Sequence, residues 1–132
     1  MDELKIEIPI EPVTKKNSQR IVVVHNRPMI LPSQRYKTFE KSCALYVHRK
    51  GEPISTPVNV KCVYYMPTRR RVDITNLMEA THDILVKYGV LADDNSSIVY
   101  SVDGSRVFYD KAAPRTEITI TEVEKGGQTD GN

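Results

Sequence analysis

The sequence predicts an α+β domain: one mixed β-sheet with two main helices packed on it, in a single small domain. Three observations carry this. Short stretches of period-two alternation recur at residues 4–10, 57–66 and 116–123. Two longer stretches, residues 33–49 and 73–88, place apolar side chains at helical spacing. The connections between most neighbouring strands are either short or single helices, which suits one sheet covered by helices.

Taken in order, Leu4, Ile6, Ile8 and Ile10 share one face of the first strand, and Pro9 marks an edge or an end. The polar stretch PVTKKNSQR follows, with Lys15, Lys16, Asn17 and Arg20; it reads equally as a phosphate-gripping loop and as a solvated turn. Residues 21–25 and 28–31 form two short strands around a tight turn at Asn26-Arg27. Ser33 is the expected N-cap of a helix running to Arg49, stopped by Gly51 and Pro53. Its bases Arg35, Lys37, Lys41 and Arg49 read as a solvated face.

The strand at 57–66 has a half-apolar second face, as a central strand would, and Pro67 ends it. Arg69, Arg70 and Arg71 then lie in a strand-to-helix loop, a common place for function. In the helix at 73–88, Ile74, Leu77, Met78, Ala80, Ile84, Leu85 and Tyr88 make one arc, and Thr75, Asn76, Glu79, His82 and Asp83 the opposite one. Asp73 stands at the N-cap, where a carboxylate is favoured on structural grounds alone, and Gly89 at the C-terminal end. Asp93-Asp94-Asn95 is a turn cluster. A strand at 98–102 breaks at Asp103-Gly104-Ser105 and resumes at 106–109, and a last strand covers 116–123. The strand–helix–strand unit from residue 57 onward is expected to be a parallel right-handed crossover. Residues 1–123 make the domain; residues 124–132 have nothing to bury and are expected to be a disordered tail.

Composition narrows the function classes. A chain of 132 residues with 39% apolar and 27% charged residues can bury one core. No apolar run approaches the ~20 residues of a membrane span. Acids occupy the N-terminus where a secretory signal would be basic, so a cytoplasmic location is expected. Cys43 and Cys62 form no CxxC pair and lack zinc-ligand spacing to a histidine; they read as reduced, partly buried thiols. The net charge of +2 divides into +5 over residues 1–50 and −3 over the rest, which suits phosphate outside and metal inside.

Residues 66–100 concentrate the chemistry. Three arginines that can hold phosphate stand beside Asp73, and the stretch closes on Asp93 and Asp94, acids that can hold a divalent cation. Hydrolysis of a phosphodiester needs an activated water and relief of charge on phosphorus, both of which Mg²⁺ supplies when two or three carboxylates hold it. The combination reads as a metal-dependent DNA endonuclease. It requires Asp73 and the loop acids to meet, although a helix spanning over ~20 Å lies between them. Paired aspartates in a turn are usually only turn chemistry, and His82 reads as a surface histidine before a base.

The stretch RRRVDITNLMEATHDILVKYGVLADDNSSIV closely resembles the core of the RusA-like Holliday junction resolvases, crossover junction endodeoxyribonucleases. Matching positions are Met66-Pro67, Arg69 to Arg71, Asp73, Asn76-Leu77, Ala80, Asp83, Leu85, Gly89 and Asp93-Asp94. PVTKKNSQ and the closing strand extend the likeness over most of the chain. The resemblance implies a homodimer that uses Mg²⁺ to nick opposing strands of four-way DNA junctions in recombination and repair. It implies Asp73 and Asp94 as catalytic metal ligands, with Asp93 beside them. DNA contacts are expected from Lys15, Lys16, Asn17 and Arg69 to Arg71, and support for the ligands from Thr75, Asn76 and Asp83. Two positions depart from the pattern: its second acid is Thr75 and its lysine is Glu79. Glu79 is the expected substitute for the lost carboxylate. A non-catalytic DNA-binding module with a decayed site, and a nuclease selective for flaps or forks, remain as alternatives.

Overall fold

The computed structural model describes residues 3–15, 20–31 and 33–123. In chain order these form β1 (Glu3–Ile8), β2 (Arg20–Val24), β3 (Arg27–Leu31), α1 (Gln34–Cys43), β4 (Val58–Met66), α2 (Ile74–Lys87), β5 (Val99–Ser101), β6 (Arg106–Tyr109) and β7 (Arg115–Glu122). The expected α+β domain with one mixed sheet and two helices is present, together with a separate two-stranded hairpin. The anticipated tail at 124–132 lies outside the described residues.

β4 is central, as its two-sided apolar pattern demands. β7 pairs with it antiparallel on one edge and carries β1 beyond it, so Pro9 follows the end of an edge strand. On its other edge β4 takes two parallel partners in line, β5 at its start (Val58 opposite Val99) and β6 at its end (Val63 opposite Arg106 through Met66 opposite Tyr109). The strand expected to break and resume does so along one edge. The Asn59 side chain bridges the break: its Oδ1 accepts from Ser101 Oγ at 2.6 Å and from the Asp103 amide at 2.8 Å. Gly104, at φ +89°, turns the chain against the Lys61 side chain, where a Cβ would come within 3.1 Å.

One face of the sheet supplies Ile6, Ile8, Val58, Val60, Cys62, Tyr64, Ile118 and Ile120 to the core. Tyr36, Phe39 and Cys43 of α1 and Leu77, Ala80, Ile84 and Leu85 of α2 complete it. Both cysteines are free and buried, more completely than expected. Thr81 lies just off the apolar arc of α2, yet it is buried because its hydroxyl is satisfied. It donates to the Leu77 carbonyl at 3.0 Å and so must accept from Tyr64 Oη at 2.7 Å. Thr81→Val should therefore leave the buried Tyr64 phenol with only the weak Cys62 sulfur as partner and destabilise the fold by about 1–3 kcal/mol in urea titration. The Tyr64→Phe/Thr81→Val double variant, which removes both partners, should regain most of that loss.

Two boundaries differ from expectation, at α1 and at the hairpin, whereas α2 keeps its expected N-cap position. α1 ends at Cys43 rather than Arg49, and residues 44–46 turn so that Val47 reaches the core. The hairpin turn falls on His25-Asn26, both at positive φ (51° and 63°), one residue before the expected pair, because two-residue turns need left-handed residues and asparagine tolerates that region. α2 spans Ile74–Lys87 with Asp73 at its N-cap position.

Candidate active site

β4 runs to Met66 and Pro67 stops it, so the arginine loop rises from the end of the central strand. There Met66, Thr68, Arg70, Arg71 and Val72 form one wall of a cleft of about 330 Å³. Residues 11–14 and Arg35 of α1 form the other. Glu11 pairs with Arg35 at 2.7 Å, so the net positive charge of the cleft is that of Arg70 and Arg71. The side chains of Arg70 and Arg71 are exposed and have no hydrogen-bond or ion-pair partner among the described residues. Arg69 goes elsewhere, with its guanidinium over the Tyr109 ring, 4.3 Å from the centroid. Arg35, read from sequence as part of a solvated face, belongs to this cleft; nothing in the helical pattern set it apart from Lys37 and Lys41.

Asp73 opens α2 beside this cleft. Its carbonyl accepts from the Leu77 amide at 3.1 Å, as an N-cap carbonyl does, but its side chain makes no capping hydrogen bond. The structural role that the sequence offered for this carboxylate is thus not used. Thr75, at the position of the lost second acid, donates its hydroxyl to Asp73 Oδ1 at a long 3.4 Å. Asn76 lies half-buried in the same turn with no side-chain hydrogen bond among the described residues.

A second group of titratable side chains lies further along α2. Lys15 reaches Asp83 at 2.5 Å and stands over the Tyr36 ring, 5.7 Å from its centroid. Lys15 thereby brings a cation to the polar arc of α2. Lys16 and Asn17 lie outside the described residues. Burial, then the charges of Glu40 and Asp83 and more weakly Glu79, raise the Tyr36 phenol above its usual range. His82 is no plain surface histidine. Its Nε2 is buried without a hydrogen-bond partner among the described residues; burial pushes its pKa down, while the charges of Asp94 and Asp83 oppose the shift.

The two loop aspartates separate in role. Asp93 accepts from the Asp94 amide at 2.7 Å and from Asn95 Nδ2 at 3.0 Å, and these bonds hold its carboxyl below the usual carboxylate range. The charge of Asp94 is felt by His82, about 13 Å along the helix axis from Asp73. β5 pairs with the start of β4, whereas Asp73 follows its end. Among the described residues of one chain, no three acid, histidine or cysteine side chains come together as a set able to hold a metal. The single shared pocket that the sequence reading required for Asp73, Glu79 and the loop acids is therefore not seen among them.

The oxygen donors suit Mg²⁺ by type, and this ion is commonly held by one or two carboxylates with water and substrate phosphate completing its shell. The fit is to such a partial site rather than to a three-acid cage. Glu79 is exposed on α2, one turn from Thr75 and one from Asp83. Glu79→Gln tests its assigned substitution for the lost acid: Mg²⁺ affinity and cleavage should both fall, and unchanged values remove it from the site.

A family model described as Endodeoxyribonuclease RusA matches residues 9–121, most of the chain. Among curated proteins, the crossover junction endodeoxyribonuclease rusA of Enterobacteria phage 82 is 37% identical over 70 residues, covering 53% of this chain and 56% of the relative. The RusA protein of Escherichia coli strain K12 gives the same identity and coverage, and that of strain O139:H28 is 34% identical over the same length. The chain spans about half the length of the curated relatives it matches. With a family match over residues 9–121, the chain belongs to the RusA endodeoxyribonuclease family.

Proposed function

We propose that this chain is a metal-dependent, structure-selective endodeoxyribonuclease that resolves Holliday junctions by paired symmetric nicks. The observation that carries the reading is the cleft lined by Arg35, Arg70 and Arg71, with the uncapped Asp73 carboxylate beside it. Guanidinium groups bind phosphate in a planar, two-pronged way and keep their charge at any working pH. Arg70 and Arg71 grip the backbone, while Asp73 beside the cleft and Asp94 near His82 would each offer oxygens to a divalent ion, Mg²⁺ by donor type. Such an ion supplies a nucleophilic water near neutral pH and relief of charge on phosphorus. Lys15 neutralises Asp83 and thereby limits the negative charge along α2 that would repel a DNA strand. Two nicks of opposite strands need two sites, so the working form is a homodimer.

The test is cleavage of a synthetic four-way junction with Mg²⁺ and with a chelator. Nicked duplex products only in the presence of metal support the reading. Binding without cutting under every metal condition would select instead a non-catalytic DNA-binding module. The two departures at Thr75 and Glu79 favour that alternative. Faster cutting of flaps or forks than of junctions would move the substrate class without changing the chemistry.

A further inference from the structure

The arginine run divides at Arg70. Arg70 lines the phosphate cleft but also a second hollow on its far side, formed with Met66, Thr68, Arg69 and residues 107–109 of β6. This hollow, about 340 Å³, shares Met66, Thr68 and Arg70 with the cleft, so the two adjoin across these residues at the end of β4. Their chemistry differs. The cleft offers guanidinium groups, whereas the hollow offers the ring of Tyr109, 39% exposed; the Phe108 ring, 47% exposed, stands on the opposite face of β6.

Two consecutive aromatics at the end of a short edge strand leave apolar surface in water. Their positions are fixed from several sides. The Asp110 amide donates to the Met66 carbonyl at 2.9 Å, which ties the end of β6 to the end of β4. Phe108 stacks on Tyr65 at 5.6 Å between centroids, and Arg115 covers Tyr65 at 3.7 Å. Arg115 is itself held by Asp110 and Glu117, both at 2.9 Å. Tyr109 carries the Arg69 guanidinium. The Tyr109 ring is thus set in place before any ligand arrives, and it adjoins a cationic track.

We propose that this hollow receives an unpaired nucleobase of the DNA, stacked against the Arg69–Tyr109 pair, while Arg70 holds the adjoining phosphate. The inference rests on the nuclease reading above and adds the feature of the substrate that the groove selects. In an intact duplex the base faces are covered by their neighbours, so an exposed ring finds no stacking partner there. At a branch point, stacking is interrupted and a base can leave the helix at low expense. Aromatic rings and guanidinium planes both stack bases without regard to sequence. The arginine cleft would then bind any DNA, and the aromatic shelf would favour branched DNA over linear DNA.

The experiment measures binding of the full chain by fluorescence anisotropy, in chelator so that no strand is cut. The probes are a four-way junction with two unpaired thymines at its centre, and a linear duplex of equal length. Tyr109→Ala should weaken binding to the junction by about tenfold, the scale of one lost base–aromatic contact, and leave duplex binding unchanged. Tyr109→Phe should keep junction affinity, and Phe108→Ala, on the opposite face of β6, should leave it unchanged. Equal losses on both probes, or no loss on either, overturn the proposal. So does a drop in sedimentation coefficient for Tyr109→Ala with unchanged affinity for DNA, which would assign the shelf to contact with a second copy of the chain. Because Phe108 and Tyr109 are exposed, their replacement leaves the core intact, and the unchanged duplex affinity confirms it. Wild-type protein that neither prefers nor cuts the junction defeats the nuclease reading itself; wild-type cutting with an insensitive Tyr109 defeats only the shelf.

Discussion

Asp73→Asn and Asp94→Asn should each abolish junction cleavage while leaving junction binding within about twofold of wild type. The expected loss in rate exceeds about a hundredfold, since even residues that merely orient metal ligands are worth about 10–100-fold. Asparagine keeps the shape and the carbonyl oxygen but loses the charge, so the variant reports on charge rather than on packing. Neither substitution should unfold the protein: both side chains are exposed, and the Asp73 carboxylate is not needed as a helix cap. Single-turnover cleavage and anisotropy on the same preparations separate cutting from binding. If binding falls as far as cutting, these acids do not have the catalytic role assigned here. Full activity in Asp94→Asn alone would leave Asp73 as the acid beside the cleft and return Asp94 to turn chemistry.

Arg70→Ala/Arg71→Ala should produce the complementary result. Both guanidinium groups line the cleft and lack partners among the described residues, so their loss removes phosphate contacts without breaking an internal ion pair. Affinity should fall steeply for linear and branched DNA alike. The slope of log affinity against log salt should become shallower by about 0.9 for each phosphate contact removed, hence about 1.8 for the pair. Cleavage measured at saturating protein should recover much of its rate, because the chemistry resides in the acids. A salt slope equal to wild type would show that these arginines face solvent and not DNA. A loss confined to junctions would assign them a part in substrate choice and would conflict with the division of labour between cleft and aromatic shelf.

Much of the fold was legible because it is written in local periodicity. The apolar alternation on both faces of β4 marked it as central, and three neighbouring strands pair with it. The arc on α2 placed Leu77, Ala80, Ile84 and Leu85 in the core, where they lie. The exceptions are equally physical. Thr81 joined the core because Tyr64, seventeen positions earlier and on another element, satisfies its hydroxyl. α1 stopped at Cys43 because the chain had to turn Val47 into the core, which no local signal announces.

By itself, the sequence determined the element types, the central strand, the position of the arginine loop at its end and the resemblance that residues 9–121 bear out at the level of the family. These follow from side-chain periodicity and short motifs, which act within a few residues of one another. Only the tertiary structure decided how the charged groups are divided. It drew Arg35 into the cleft, turned Arg69 onto Tyr109, gave Lys15 to Asp83 and released Asp73 from capping. Each of those outcomes depends on which segments meet across the end of β4. Coulomb attraction and ring contact act over a few ångströms in space, whatever the separation along the chain.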